Sequence, residues 1–219
     1  MKTEELIQRL SGGLSPTPQV WPFWRVLLVW LLVSSAYVAV MILLLGPIRP
    51  GVGAQLALPS RFSIEMLFGG AALVFWAIAA LSDSIPGLYR RWPIRLSWFF
   101  FIIWLLHFVG GYVSPSLEPS MLGKREHCAA EAYLYSLPPA LLMFWMQRQR
   151  FPLNPLRAAI YGAIAAAMLP ALAMQVACMY EPTHILQNHV FPILVLAGVV
   201  GAVAFTIIRF SKQGTDDQL

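Results

Sequence analysis

The sequence predicts an all-α polytopic membrane protein: a bundle of six transmembrane helices with a short cytoplasmic N-terminal amphipathic arm. Three observations carry this prediction. Of the 219 residues, 58% are hydrophobic and only 11% are charged, under half the roughly 25% charged residues of a soluble domain. Apolar runs near the ~20 residues needed to cross a bilayer recur along the chain. Lys and Arg fall in short clusters between these runs, as membrane-flanking charges do. A continuous basic stripe for direct nucleic-acid binding is absent.

The elements run in chain order. Residues 1–22 read MKTEELIQRLSGGLSPTPQVWP, an arm with a Pro-rich linker. Thr3 can cap a short helix, and Glu4 and Glu5 suit the positive end of its dipole. Leu6, Ile7 and Leu10 fall on one side at helical spacing. Gly12–Gly13 end the helix, and Pro16, Pro18 and Pro22 keep the linker extended. Two turns alone are marginal in water, so such a peptide gains order by docking into a partner's groove or onto an interface.

Residues 23–210 form the transmembrane domain, with runs at 24–45, 64–82, 95–113, 129–147, 156–179 and 188–209, each bounded by Pro, Gly or charge. The first run exceeds the 7–15 apolar residues of a signal peptide, and a polar segment precedes it, so it is read as a span. Ala158, Gly162, Ala166 and Ala173 in the fifth run, with Gly198 and Ala202 in the sixth, are small enough for close helix approach. Pro138–Pro139, Pro170 and Pro192 are expected to kink their helices. Residues 211–219 read as a solvated cytoplasmic tail.

Charge orients the bundle. One set of flanks holds eleven Lys and Arg, the other only Arg49, Arg61, Lys124 and Arg125. Positive residues favour the cytoplasm, so both termini are expected there. Trp21, Trp24, Trp92 and Trp98 then sit at the cytoplasmic interface.

In this orientation Cys128, Cys178, His127, His184 and His189 all lie at the outer interface, with His107 about 9 Å below it. Glu126, Glu131 and Glu181 join them. Cys128–Glu131 and Cys178–Glu181 are both i, i+3 pairs, which on a helix share a face. Glu131 lies within an apolar run, where a carboxylate needs a partner. Three chemistries stay open for the thiols: a disulfide, a thiolate and imidazole site for zinc, copper or another soft metal ion, and a redox-sensing pair. The metal ligands would come from Cys128, Cys178, His127, His184, His189, His107 and Glu131.

Several of these features together resemble the NrsF-type membrane anti-sigma factors, negative regulators of extracytoplasmic-function sigma factors. They are the T-E-E-L-I-x-x-L arm at Thr3 to Leu10 and the six spans, then Cys128 followed by S-L-P-P-A at Ser136 to Ala140, and Cys178 followed by one His before the last span, His189 or His184. The resemblance implies a device in the bacterial inner membrane without enzymatic activity. Thr3, Leu6, Ile7 and Leu10 would bind an extracytoplasmic-function sigma factor, and Cys128 and Cys178 would sense heavy metal or oxidative stress. A small polytopic transporter or metal-binding membrane protein is the competing reading. It is poorly supplied, since no charge falls near the middle of any run.

Overall fold

The computed structural model describes residues 3–11, 21–57, 59–88 and 90–216. Gly12, Gly13, Pro16 and Pro18, which the sequence assigns to the end of the arm helix and its linker, lie outside the described residues, as do the side chains of Leu6 and Leu10. The described residues are helical with no named strand. The element order is α1 (Thr3–Ser11), α2 (Phe23–Leu45), α3 (Val52–Gln55), α4 (Arg61–Asp83), α5 (Arg91–Gly111), α6 (Cys128–Arg148), α7 (Pro155–Ala177), α8 (Pro182–Ile185) and α9 (Phe191–Asp216). A π-turn at Leu186–Val190 joins α8 to α9.

Local chemistry sets the helix ends. Ser60 caps α4 by accepting from the Ser63 amide at 3.0 Å. Asn154 caps α7 by accepting from the Arg157 amide at 3.0 Å, and Pro155 opens that helix where its missing N–H costs nothing. α5 starts at Arg91, ahead of the run at 95–113, because Pro93 is tolerated in a first turn. α9 continues to Asp216, through much of the segment read as a tail.

Among the described residues, five segments are long and apolar enough to cross a membrane: α2, α4, α5, α7 and the stretch Pro182–Arg209. α6 has the length, 21 residues. Its polar content, including Glu131, Ser136, Gln147 and Arg148, keeps it out of that set.

α7 is the hub. It packs against α2, α4, α6 and α9, and most of its length is buried. Its run of Ala residues lets neighbours close in, and Gly162 lies directly under Met143 and Gln147 of α6. The small residues expected on the last helix behave otherwise. Gly198 and Ala202 face outward, and α9 packs through Ile193, Leu196 and Gly201, the last against Ile160. Small residues mark a close approach only where a neighbouring helix crosses them.

Side-chain clasps close the two ends of the bundle. At the end away from the cysteines, Arg157 makes a two-pronged ion pair with Asp83, at 2.5 and 2.9 Å. There Gln147 also donates to the carbonyls of Ala158 and Ala80. At the cysteine end, Arg61 donates to Ser114, and Ser120 and Tyr180 form an isolated antiparallel bridge.

Candidate functional site

The two cysteines come from elements that touch at one end of the bundle. Cys128 is the first residue of α6, and Cys178 is the residue that follows α7. α6 and α7 run antiparallel, so the start of one meets the end of the other. The sulfur atoms are 2.8 Å apart, and both thiols are buried and free. Val38, Ile42, Tyr135 and Met174 wall them in.

Two imidazoles complete the cluster. Glu181 caps α8 by accepting from the amides of Thr183, at 3.0 Å, and His184, at 2.5 Å. Burial alone would raise the Glu181 carboxyl, but these amides hold it below the usual carboxylate range. The cap aims His184 back at the bundle, and its Nε2 lies 3.4 Å from the Cys178 sulfur. Asn188 donates to the His184 carbonyl at 3.1 Å, and its side-chain amide lies 3.1 Å from His184 Nδ1, which fixes the ring's orientation. The π-turn then places His189 beside His184, ring centroids 5.2 Å apart and nearly perpendicular. π-turns are frequent at functional sites, because the extra residue re-aims a side chain.

One ligand atom from each of Cys128, Cys178, His184 and His189 falls within 4.8 Å of all the others. Two sulfurs and two imidazole nitrogens form the donor set of a closed tetrahedral zinc site, whose bonds of about 2.0–2.3 Å put ligand atoms about 3.5 Å apart. His189 supplies the sharper observation. It is completely buried, and neither ring nitrogen has a hydrogen-bond partner of good geometry, the Cys178 sulfur being the polar group it faces. A buried imidazole without a partner is costly, and a metal ion would satisfy it. The residues therefore fit a soft or borderline metal.

The thiols are not equivalent. Cys128 donates to the Arg125 carbonyl at 3.3 Å. Its thiol, and after it the His184 ring, hold the Cys178 thiol well below the usual thiol range.

Two buried arginines brace the site. Arg49 donates from its amide to the Ala177 carbonyl at 2.8 Å and from Nη1 to the Cys178 carbonyl at 3.0 Å. Its guanidinium lies over the rings of Phe62 and Tyr180, at 5.0 and 5.7 Å. Tyr180 in turn donates to Glu65 at 3.0 Å, and Gln175 donates to the other Glu65 oxygen. Arg125 pairs with Glu131 at 2.8 Å and donates to the Pro47 carbonyl at 3.0 Å. The segment between α2 and α3 is therefore tied to both cysteine-bearing chains.

Gly123 makes this close approach geometrically allowed. Its φ is +79°, and a Cβ there would sit 2.9 Å from the Arg49 Cα. Gly123→Ala combines a left-handed backbone with a backbone clash, and we expect a loss of about 1–3 kcal/mol in denaturant unfolding.

Of the ligands the sequence suggests, four converge and three do not. His127 is exposed, preceding α6 without a side-chain capping bond. His107 bonds back to the Ile103 carbonyl at 2.8 Å and packs on Phe68, away from the thiols. Glu131 is committed to Arg125, and Glu181 to its cap. Sequence reasoning missed Glu65, Arg49 and Gln175. The signal for Glu65 was an acidic residue inside an apolar run. For Arg49 and Gln175, nothing in the local pattern marks them as buried.

A family model described as NrsF, negative regulator of sigma F, matches residues 10–210. No curated protein and no solved structure matches the chain.

Proposed function

The chain belongs to the NrsF family of negative regulators of sigma F, and on that premise we propose an inner-membrane anti-sigma factor that holds an extracytoplasmic-function sigma factor through its arm. It releases the sigma factor when the cysteine cluster, facing the periplasm, meets a soft metal or an oxidant. The observation that carries the sensing half is the convergence of Cys128, Cys178, His184 and His189, with His189 fully buried against it. No enzymatic step is needed for this role.

We read α6 as a sixth crossing. Its start meets the end of α7 through the thiol pair, and Gln147 near its end bonds the Ala158 carbonyl near the start of α7. A helix that lies beside a spanning helix over its whole length spans with it. The eleven-to-four asymmetry of Lys and Arg then favours both termini in the cytoplasm and the cluster outside. Residues 1–22 are the sigma-binding arm and linker. Ile7 of α1 is exposed, as a docking side chain must be before it binds.

When bound, a metal ion would be held by Cys128, Cys178, His184 and His189 and would supply the positive charge that favours thiolates over thiols. The protein's part is to gather those donors from α6, the end of α7 and the turn before α9, and to shield them from competing water. Oxidation reaches the same geometry by another route. A peroxide converts the Cys178 thiolate to a sulfenic acid with loss of alkoxide or hydroxide. The Cys128 sulfur, 2.8 Å away, then attacks that sulfur, forming the disulfide and releasing water.

The experiment is co-purification from cells. The full-length chain is expected to retain a sigma factor, and deletion of residues 1–12 is expected to lose it while leaving the membrane domain folded. A deletion that still retains the sigma factor would show that the arm is not the binding element. Substrate flux into proteoliposomes would favour the transporter instead. Labelling with a membrane-impermeant maleimide tests the sidedness of Cys128 and Cys178 directly.

A further inference from the structure

α2 and the residues flanking it, which come after the arm, are bonded to α6 and its flanks at three levels, each time by a side chain donating to a backbone carbonyl. At the cysteine end, Arg125 Nη1 reaches the carbonyls of Pro47 (3.0 Å) and Ile42 (3.5 Å). Midway, Trp30 Nε1 donates to the Pro139 carbonyl at 3.0 Å. At the far end, Arg150 Nη2 donates to the Trp21 carbonyl at 2.8 Å. All three donors are buried.

Arg150 is the unusual one. Burial lowers its guanidinium from the ordinary value, and among the described residues no carboxylate pairs with it; the ion pairs are Arg125–Glu131 and Arg157–Asp83. A buried cation without a counter-ion is poor value for stability alone. Its partner is the carbonyl one residue before Pro22, at the point where the arm's linker meets the bundle. The rod between Cys128 and Arg150 is also built to bend in one place. Pro138 and Pro139 remove two helical N–H donors from its middle, and Trp30 holds α2 to the helix at that point.

We infer that α6 is the lever carrying the state of the thiol cluster across the protein, with Arg150 as its output contact on the root of the arm. A shift of the Cys128 end pivots the helix about its proline pair and moves the guanidinium that grips Trp21. The inference rests on the sensing reading above, and it names a positioning residue and a route that the cluster does not itself specify.

The test uses the full-length protein in nanodiscs with Zn²⁺ alone as the probe. Zinc uptake and amide hydrogen exchange over residues 21–30 are measured together. In the native chain, zinc is expected to change exchange at the start of α2. Arg150→Met is expected to cut that change by about 2- to 30-fold while stoichiometric zinc uptake persists. Arg148→Met, at an exposed neighbour, should leave it intact. Trp30→Phe, which keeps the ring and loses the indole N–H, should weaken the response partway and guards against a misfolded Arg150 variant. An unchanged response in Arg150→Met overturns the lever, as does a native chain that takes up zinc with no change at residues 21–30. A native chain that takes up no zinc sinks the sensing reading first, and the lever with it.

Discussion

The Cys128→Ala, Cys178→Ala double variant is expected to bind no zinc and to hold a sigma-dependent reporter at one level, with or without metal or oxidant. The size of the effect comes from the donor count. A tetrahedral site stripped of both thiolates keeps only two imidazoles, and the charge that made it selective for a soft cation is gone. Losing a group that merely orients a ligand weakens metal binding about 10- to 100-fold. His189→Ala, which removes a ligand outright, should therefore exceed about 100-fold. His107→Ala and His127→Ala serve as controls, since one ring packs on Phe68 and the other is exposed. A competition titration against a chromophoric chelator reads all four variants. Native affinity in the double variant, or in His189→Ala, would remove the metal reading of the cluster. A reporter that still responds normally in the double variant would remove sensing altogether.

The second large effect is expected at Arg125. Its side chain is 1% exposed and that of its partner Glu131 is 17% exposed. Arg125→Met leaves a carboxylate facing the bundle without its cation, and it also strips donors from the Pro47 and Ile42 carbonyls. Breaking one side of a buried pair costs about 3–5 kcal/mol, and we expect the loss at the lower end because Glu131 retains some access to solvent. Glu131→Gln should cost less. Replacing both residues by Met should recover part of the loss, because no uncompensated charge then remains. Unfolding in mixed micelles with increasing denaturing detergent measures the series. A double variant no better than Arg125→Met alone would mean that the cation acts through the α2 carbonyls and not through the ion pair.

Apolar runs and charge clusters placed the long helices within a few residues, the far end of α9 excepted, because the hydrophobic requirement of a crossing acts on local composition. That both thiols and all four histidines fall toward one end of the bundle was also legible, since it needs only the alternation of runs along the chain. The choice among those histidines was not. His127 is adjacent to Cys128 in sequence yet exposed, while His189, 61 positions away, is fully buried in the cluster. The i, i+3 carboxylates suggested partners for the thiols. The structure gives Glu131 to Arg125 and Glu181 to a helix cap, because a cation and free amides are stronger partners for a carboxylate than a thiol.

By itself the amino-acid order determined a helical membrane protein, the positions of its apolar segments and the family it resembles, all carried by interactions between near neighbours and the solvent. Which four donors meet, which arginines brace them and how α2 is gripped by α6 were decided only by the packed bundle. The contacts that join the separate elements, from Cys128–Cys178 to Arg150–Trp21, link residues 50 to 129 positions apart. Their partners are mostly backbone carbonyls, which every residue carries alike, so no side-chain pattern announces them.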